Sequence, residues 1–134
     1  MNKYLLDTNV CIYFLNGMFN LKEKIRSRGF EHCAISEITI AELKYGIAKS
    51  TRKQANALAL ESFQSSIEIL PIFPVLDVYA AEKARLKIKG SIIDDFDLLI
   101  GATAIFHNMV LVTKNISDFD RLSGIVIEDW TVSL

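Results

Sequence analysis

Asp7 is the first residue whose position in the sequence suggests chemistry. It follows the apolar run Tyr4–Leu6, which is typical of a buried strand, and it precedes a segment with helical character. A single acid at such a junction is often only a helix cap or a turn residue. Its meaning therefore depends on whether other acids in the chain are placed to meet it.

Glu42 and Asp97 are the acids best placed to do so. Glu42 lies four positions after Ile38 and three before Tyr45 on a predicted helix, so it shares a stripe with apolar neighbours. A carboxylate on an inward face needs a partner or a metal ion, unless it lies at the edge of the stripe and reaches water. Asp97 adjoins the apolar run Leu98–Ala104, whose packing is expected to aim its side chain reproducibly.

Other acids near these positions have simpler explanations. Asp94 and Asp95 precede an apolar helix whose first turn favours negative charge, and Asp94 is the best N-cap there.

Asn115 follows the predicted strand Met109–Thr113, at the same topological level as Asp7. Capping and solvation explain Asp118, three residues further on, at least as well as a functional role does.

Three carboxylates that converge would raise one another's pKa, and a divalent cation would remove the repulsion. An all-oxygen ligand set favours Mg²⁺ or Mn²⁺ over Zn²⁺, which prefers histidine and cysteine. A metal ion held in this way lowers the pKa of a bound water and neutralises charge on a phosphate. If Asp7, Glu42 and Asp97 meet, the site therefore suits phosphodiester hydrolysis.

The elements that must position these residues alternate along the chain. Apolar runs predict strands at Lys3–Leu6, Cys33–Ile35, Glu68–Phe73, Met109–Thr113 and Ile125–Ile127. Helical periodicity and capping residues predict helices at Val10–Leu15, Leu21–Arg28, Ser36–Ala48, Thr51–Ile67, Leu76–Ile88 and Asp97–Phe106. This order predicts an α/β protein, a three-layer α/β/α sandwich around a central, mainly parallel sheet. Ligands of such sheets bind beyond the carboxyl ends of the strands, where Asp7 is predicted to lie.

Composition narrows the class of protein further. The length of 134 residues predicts one domain over residues 1–134, and 51% hydrophobic residues exclude a disordered chain. A net charge of −1 excludes a strongly basic protein. Cys11 and Cys33 form no CxxC motif, which favours reduced core residues of a cytoplasmic protein over a disulfide. No apolar run is long enough to span a bilayer, so we expect no membrane association.

Four segments, in this order, resemble the PIN-domain ribonucleases, and in particular the VapC-type toxins of bacterial toxin–antitoxin pairs. The segments are LDTN (6–9), SEITIAELKYG (36–46), DFDLLIGATA (95–104) and LVTKNISDF (111–119). The similarity runs from Lys3 to about Trp130. It therefore covers nearly the whole chain and implies a PIN-like fold.

The resemblance also assigns roles to individual residues. The first acid, the helix acid and the third acid of the family fall on Asp7, Glu42 and Asp97, of which Asp7 and Asp97 are the expected metal ligands. The variable fourth position, often Asp in the family, falls on Asn115, which removes a charge but keeps an amide oxygen. Thr8 and Asn9 fall on polar positions that support the first acid in the family, and Thr113 and Asp118 are further candidate supporting residues, Asp118 as a compensation for Asn115.

The activity that the resemblance implies is that of a Mg²⁺-dependent endoribonuclease, with Mn²⁺ as a plausible substitute ion. Related toxins cut structured RNA, frequently transfer RNA. The family members dimerise and are silenced by a cognate VapB-type antitoxin, whose C-terminal segment covers the active site. We therefore expect a cytoplasmic homodimer that also forms a toxin–antitoxin hetero-oligomer.

Two other functions remain open from the sequence. Because Asn115 replaces an acid, the chain can be a catalytically impaired PIN-like module that binds RNA or a partner. A phosphorylation-controlled signalling receiver also gathers acids around Mg²⁺ at a sheet edge. That fold needs an acceptor Asp at the end of a central strand, and the run Glu68–Phe73, interpreted as the middle strand, provides none.

Overall fold

The computed structural model describes residues 2–132. Its strands are β1 (Tyr4–Leu6), β2 (Cys33–Ser36), β3 (Glu68–Leu70), β4 (Val110–Val112) and β5 (Val126–Glu128). Its helices are α1 (Thr8–Leu15), α2 (Leu21–Arg28), α3 (Glu37–Ala48), α4 (Lys53–Gln64), α5 (Leu76–Ile88), α6 (Asp95–Phe106) and α7 (Ile116–Phe119). Two single 3₁₀ turns cover Phe30–His32 and Phe73–Val75. Within residues 2–132, no helix combines the length and the apolar character needed to cross a membrane.

The strands form one parallel sheet in the order β3-β2-β1-β4-β5, with a helical layer on each face. Successive residues of β1 point to opposite faces. Leu5 packs into one core with Leu98 of α6, and Leu6 packs into the other with Val10 of α1 and Leu43 of α3. The predicted three-layer α/β/α arrangement is thereby confirmed.

The third strand is shorter than the sequence predicts and lies at an edge of the sheet. The predicted strand Glu68–Phe73 ends at Leu70, because Pro71 has no N–H to continue the ladder. The N–H of Ile72 is then bound by Glu37 Oε1 at 2.9 Å, and the chain turns into a 3₁₀ helix. The interpretation of this segment as the middle strand was wrong.

The central strand is instead β1, which does carry an acid, Asp7, at its carboxyl end. The absence of such an acid is therefore no argument against a signalling receiver. The strand order does argue against a receiver. Flavodoxin-like receivers have the strand order 2-1-3-4-5, whereas this sheet has the order 3-2-1-4-5. The receiver interpretation is not supported.

Strand register brings two distant segments together at the carboxyl edge of the sheet. Leu6 pairs with Val112, and the N–H of Asp7 continues the ladder to the Val112 carbonyl at 3.0 Å. Asp7 and Thr113 therefore leave adjacent strands side by side. The polar residues that follow β1 and β4 are placed to contact one another.

Gly101 marks the close contact between α6 and the segment that follows α7. A Cβ atom at this buried position would overlap Leu122 Cδ1 and would lie 3.5 Å from Phe119 Cδ1. Because both neighbours are buried, Gly101→Val is expected to lower the free energy of unfolding by about 1–3 kcal/mol. Urea unfolding followed by circular dichroism measures this change.

Gly46→Ala is the matched control for this prediction. Gly46 also lies inside a helix, α3, but no atom would lie within 4 Å of an added Cβ. Its replacement is expected to raise the free energy of unfolding by up to about 1 kcal/mol through helix propensity. Equal stability changes in the two variants would contradict the packing argument at Gly101.

Candidate active site

Asp7 is a buried carboxylate, 4% exposed, at the junction of β1 and α1. Its Oδ1 accepts the N–H of Thr8 at 2.8 Å, which caps α1, and its Oδ2 accepts the hydroxyl of Thr113 at 2.8 Å. The capping role that sequence reasoning allowed is therefore present. Each oxygen keeps free lone pairs, so the same carboxylate can bind a further ligand.

The surroundings of Asp7 oppose its negative charge. Burial raises the pKa of Asp7 above its ordinary value, the hydrogen bonds from Thr113 and Thr8 lower it in part, and the nearby Glu42 carboxylate raises it again. An ionised Asp7 in the metal-free protein therefore lacks full compensation. A cation at this position would supply it.

Glu42 is joined to Asp7 through the intervening residue Thr8. The hydroxyl of Thr8 donates to Glu42 Oε1 at 2.6 Å and lies 3.0 Å from the hydroxyl of Thr39. Because Thr8 has a single O–H, the Thr39 hydroxyl is then the donor to Thr8. Sequence reasoning missed the buried Thr39, although its spacing of three residues from Glu42 on α3 places both side chains on one helical face.

Asp97 lies in the first turn of α6, among the other acids. Burial raises the pKa of Asp97 to about 6, and the carboxylates of Asp7, Asp94, Glu42 and Asp118 raise it in the same direction. The negative charges of Asp7 and Glu42 therefore act on Asp97, as the prediction of an acidic site requires. The helix begins at Asp95, two residues before the predicted Asp97.

The two extra acids before Asp97 have structural roles. Asp94 Oδ2 accepts the N–H of Phe96 at 3.1 Å, so Asp94 is the N-cap of α6, as predicted. Asp95 Oδ1 accepts hydrogen bonds from Lys83 Nζ and from the Tyr79 hydroxyl, both at 2.9 Å. Asp95 therefore ties α6 to α5.

The segment after β4 brings Asn115 and Asp118 to the same edge. The N–H of Asn115 donates to Thr113 Oγ1 at 2.9 Å, and its Nδ2 donates to Asp118 Oδ2 at 2.7 Å. Arg121 Nη2 approaches the other oxygen, Asp118 Oδ1, at 3.4 Å. Sequence reasoning did not find Arg121, and its only signal is the spacing of three residues from Asp118.

Asn9, the remaining predicted supporting residue, does not contact Asp7 through its side chain. Its side chain makes no hydrogen bond within residues 2–132 and is exposed. It lines a cavity of about 400 Å³ together with Glu42, Tyr45 and Phe96. This places Asn9 beside Glu42, at the wall of the same cavity.

The model of the PIN domain family matches residues 4–125 of the sequence. The chain belongs to the PIN-domain family. It is 39% identical to the ribonuclease VapC2 of Rickettsia felis over 95% of this chain and 97% of that protein. It is 36% identical to the tRNA(fMet)-specific endonuclease VapC of Salmonella typhimurium over 97% of this chain and 99% of that protein.

Solved structures agree with this assignment. The chain superposes on a chain of the DNA-bound VapBC complex of Salmonella typhimurium with a TM-score of 0.90. The match has 34% sequence identity and covers 97% of this chain and 99% of that chain. The resemblance to PIN domains of the VapC type and the PIN-like fold are thereby confirmed.

The acids of this PIN domain fit a divalent metal ion by their chemistry. In residues 2–132, no three Asp, Glu, His or Cys side chains are already arranged to hold one ion together. Asp7 and Asp97 nevertheless supply hard oxygen donors, and the pKa of each is raised, first by burial and then by neighbouring carboxylates, so a cation would stabilise their ionised forms. The donor set contains only oxygen atoms, which suits a hard divalent cation.

Both cysteines of the PIN domain are free thiols in its core. Burial raises the pKa of Cys11 well above its ordinary value, with a further contribution from the Asp7 carboxylate. Burial also raises the pKa of Cys33 to about 11. The prediction of reduced core cysteines agrees with this arrangement.

Proposed function

We propose that this chain is a Mg²⁺-dependent endoribonuclease toxin of the VapC type that acts on RNA in the cytoplasm and is silenced by a VapB-type antitoxin. The observation that carries the proposal is the buried Asp7 at the end of the central strand, together with Asp97, whose pKa burial and the charge of Asp7 raise to about 6. The names of the ribonuclease and tRNA(fMet)-specific endonuclease relatives support RNA, and structured RNA such as tRNA, as the substrate.

In this proposal Asp7 and Asp97 hold Mg²⁺, or Mn²⁺ in its place. The bound ion lowers the pKa of a water molecule and neutralises charge on the phosphate. Glu42 Oε1 is held by Thr8, and its second oxygen is left to accept a hydrogen bond from the attacking water. Thr113 and Thr8 keep the Asp7 carboxylate in place, and Asn115 supports the site with its amide.

The partners belong to the same proposal. A similar chain is found in a VapBC complex bound to DNA, which supports an antitoxin partner for this chain. The cavity beside Glu42 is lined by the aromatic rings of Tyr45 and Phe96, by the single acid Glu42 and by Lys49. Such a cavity suits an antitoxin segment that presents one basic and several apolar side chains. A homodimer and a toxin–antitoxin hetero-oligomer are the expected assemblies.

The test is incubation of antitoxin-free protein with total bacterial RNA in Mg²⁺ or in EDTA, followed by mapping of new 5′ ends. We expect discrete cuts, with transfer RNA among the cleaved species, only in the presence of the metal. Mn²⁺ is expected to substitute. The positions of the cuts would identify the substrate and the bond together.

The alternative is a binding module without catalysis, and the observation that favours it is Asn115 at a position often occupied by an acid. Tight RNA binding in EDTA, with no cleavage in Mg²⁺ or Mn²⁺, would contradict the nuclease proposal and support this alternative. The folded state of the protein in that experiment is checked by circular dichroism.

A further inference from the structure

Asp118 lies at the centre of a polar cluster that extends away from the candidate active site. One of its oxygens accepts a hydrogen bond from Asn115 Nδ2 at 2.7 Å, and the other faces Arg121 Nη2 at 3.4 Å. The same guanidinium donates to the carbonyl of Ile92 at 3.0 Å and to that of Ser117 at 3.3 Å. The Arg121 guanidinium therefore contacts two carbonyls and holds Asp118 as its third partner.

Arg121 is itself anchored to α5 through Arg85, which a buried acid holds in place. Glu82, 8% exposed, accepts two hydrogen bonds from Arg85 at 2.8 and 3.0 Å and one from the N–H of Ser123 at 2.6 Å. Arg85 Nη2 also donates to the Arg121 carbonyl at 2.7 Å. The hydrogen bonds from Arg85 lower the pKa of Glu82, so this acid is ionised at neutral pH. A continuous set of contacts thus runs from α5 to Asn115.

The cluster determines which end of the Asn115 amide is free. An ionised carboxylate only accepts hydrogen bonds, so Asp118 takes the nitrogen of the amide and leaves its oxygen. Within residues 2–132, that oxygen accepts no hydrogen bond. The backbone N–H of Asn115 is bound by Thr113 Oγ1, which also donates to Asp7, so the residue is fixed from both sides.

We propose that Asp118, held by Arg121, is a positioning residue that orients the Asn115 carboxamide with its oxygen towards the acidic site. The proposal rests on the nuclease function proposed above. It gives Asp118 a role other than metal ligation, because the neighbouring guanidinium already neutralises its charge and repels a cation. Asn115 Oδ1 would then face the acidic site as a neutral acceptor.

The first readout is independent of activity and uses metal-free protein. The side-chain amide signal of Asn115 in a ¹H–¹⁵N NMR spectrum is assigned by its loss in Asn115→Asp. We expect this signal to move in Asp118→Asn and in Arg121→Ala, and to move less in Arg121→Lys. Asp120→Asn is the matched control, since Asp120 is an exposed aspartate of the same segment, and it is expected to leave the signal unchanged.

The second readout is steady-state RNA cleavage by the same variants. Loss of an outer partner of a site residue commonly lowers activity by about 10–100-fold, and we expect kcat of Asp118→Asn and Arg121→Ala to fall within that range. KM is expected to stay within about threefold of wild type, because the substrate contacts themselves remain. Circular dichroism and thermal unfolding confirm that each variant is folded.

Two results would overturn the proposal. An unchanged Asn115 signal with wild-type kcat in Asp118→Asn would show that Asp118 positions nothing. An unchanged signal together with a higher Mg²⁺ concentration for half-maximal thermal stabilisation would make Asp118 a metal ligand instead. If the wild-type protein cleaves no RNA, the nuclease function fails, and the NMR comparison still decides whether Asp118 orients Asn115.

Discussion

Asp7→Asn is expected to lower RNA cleavage by about 10³-fold or more, which corresponds to about 4 kcal/mol of lost transition-state stabilisation. The variant removes the charge that holds a cation but keeps the size and polarity of the side chain. The hydroxyl of Thr113 both donates and accepts, so an asparagine can keep a hydrogen bond to it. Because burial opposes the charge of Asp7, the metal-free variant is expected to be at least as stable as wild type.

Single-turnover cleavage of a labelled RNA at saturating Mg²⁺ measures the first effect, and thermal unfolding in EDTA measures the second. Asp120→Asn, which changes an exposed aspartate, is the control and is expected to retain wild-type values in both. Cleavage by a folded Asp7→Asn protein at the wild-type rate would remove Asp7 from the active site.

Replacement of Asp97 is expected to have the second largest effect, because this residue influences both the pH dependence of stability and metal binding. Its pKa of about 6 in the folded protein lies above the ordinary value of 3.8, so the folded state binds this proton more tightly than the unfolded state. The contribution of Asp97 to the stability of the metal-free protein is therefore full below about pH 4 and is lost as the pH rises through about 6. Asp7, whose pKa is also raised, contributes in the same direction.

Asp97→Asn is expected to reduce this loss of stability, to weaken stabilisation by Mg²⁺ at pH 7, and to lower cleavage by about 10²-fold, or about 2.7 kcal/mol. Melting temperatures between pH 4 and 8, in EDTA and in Mg²⁺, together with cleavage rates, measure the three effects. A variant whose melting temperature follows the wild-type pH profile would show that Asp97 does not carry the raised pKa.

Much of the fold could be predicted from local patterns. Apolar runs located the strands, and the polar residue after each run located the edge at which Asp7 and Asn115 lie. These features depend on residues only a few positions apart, so the sequence pattern alone is enough to predict them. The inward position predicted for Glu42 was only partly right: Ile38 of the apolar stripe is buried, but Tyr45 is 66% exposed and Glu42 is half-buried, at the edge of the stripe.

Element ends were harder to predict, because periodicity does not show where backbone hydrogen bonds stop. The stripe of apolar residues predicted a helix over Thr51–Ile67, whereas α4 covers Lys53–Gln64. The hydroxyls of Ser65 and Ser66 both donate to the Ser62 carbonyl, at 2.8 and 3.0 Å, and satisfy the end of the helix early. Ile67 is still buried, but outside the helix.

Contacts between distant segments could not be derived from residue patterns at all. Thr113 and Asp7 meet across 106 positions because β4 pairs with β1, and the chain order of the strands does not reveal that pairing. The contacts of Asp118 with Arg121 and of Arg121 with α5 likewise depend on how the helices pack. The resemblance to a known family was the only guide to the contact between Asp7 and Thr113. It gave no guide to the contacts of Arg121.

The two buried thiols can be used to measure how often the folded structure opens locally. Cys11 lies in α1, directly after the residues that Asp7 caps, and Cys33 lies in β2 of the sheet. Because only a thiolate reacts with alkylating reagents, both side chains are protected until the surrounding structure opens. Their rates of alkylation therefore report how often the helix next to the acids separates from the core, and how far a metal ion or a bound antitoxin slows that separation.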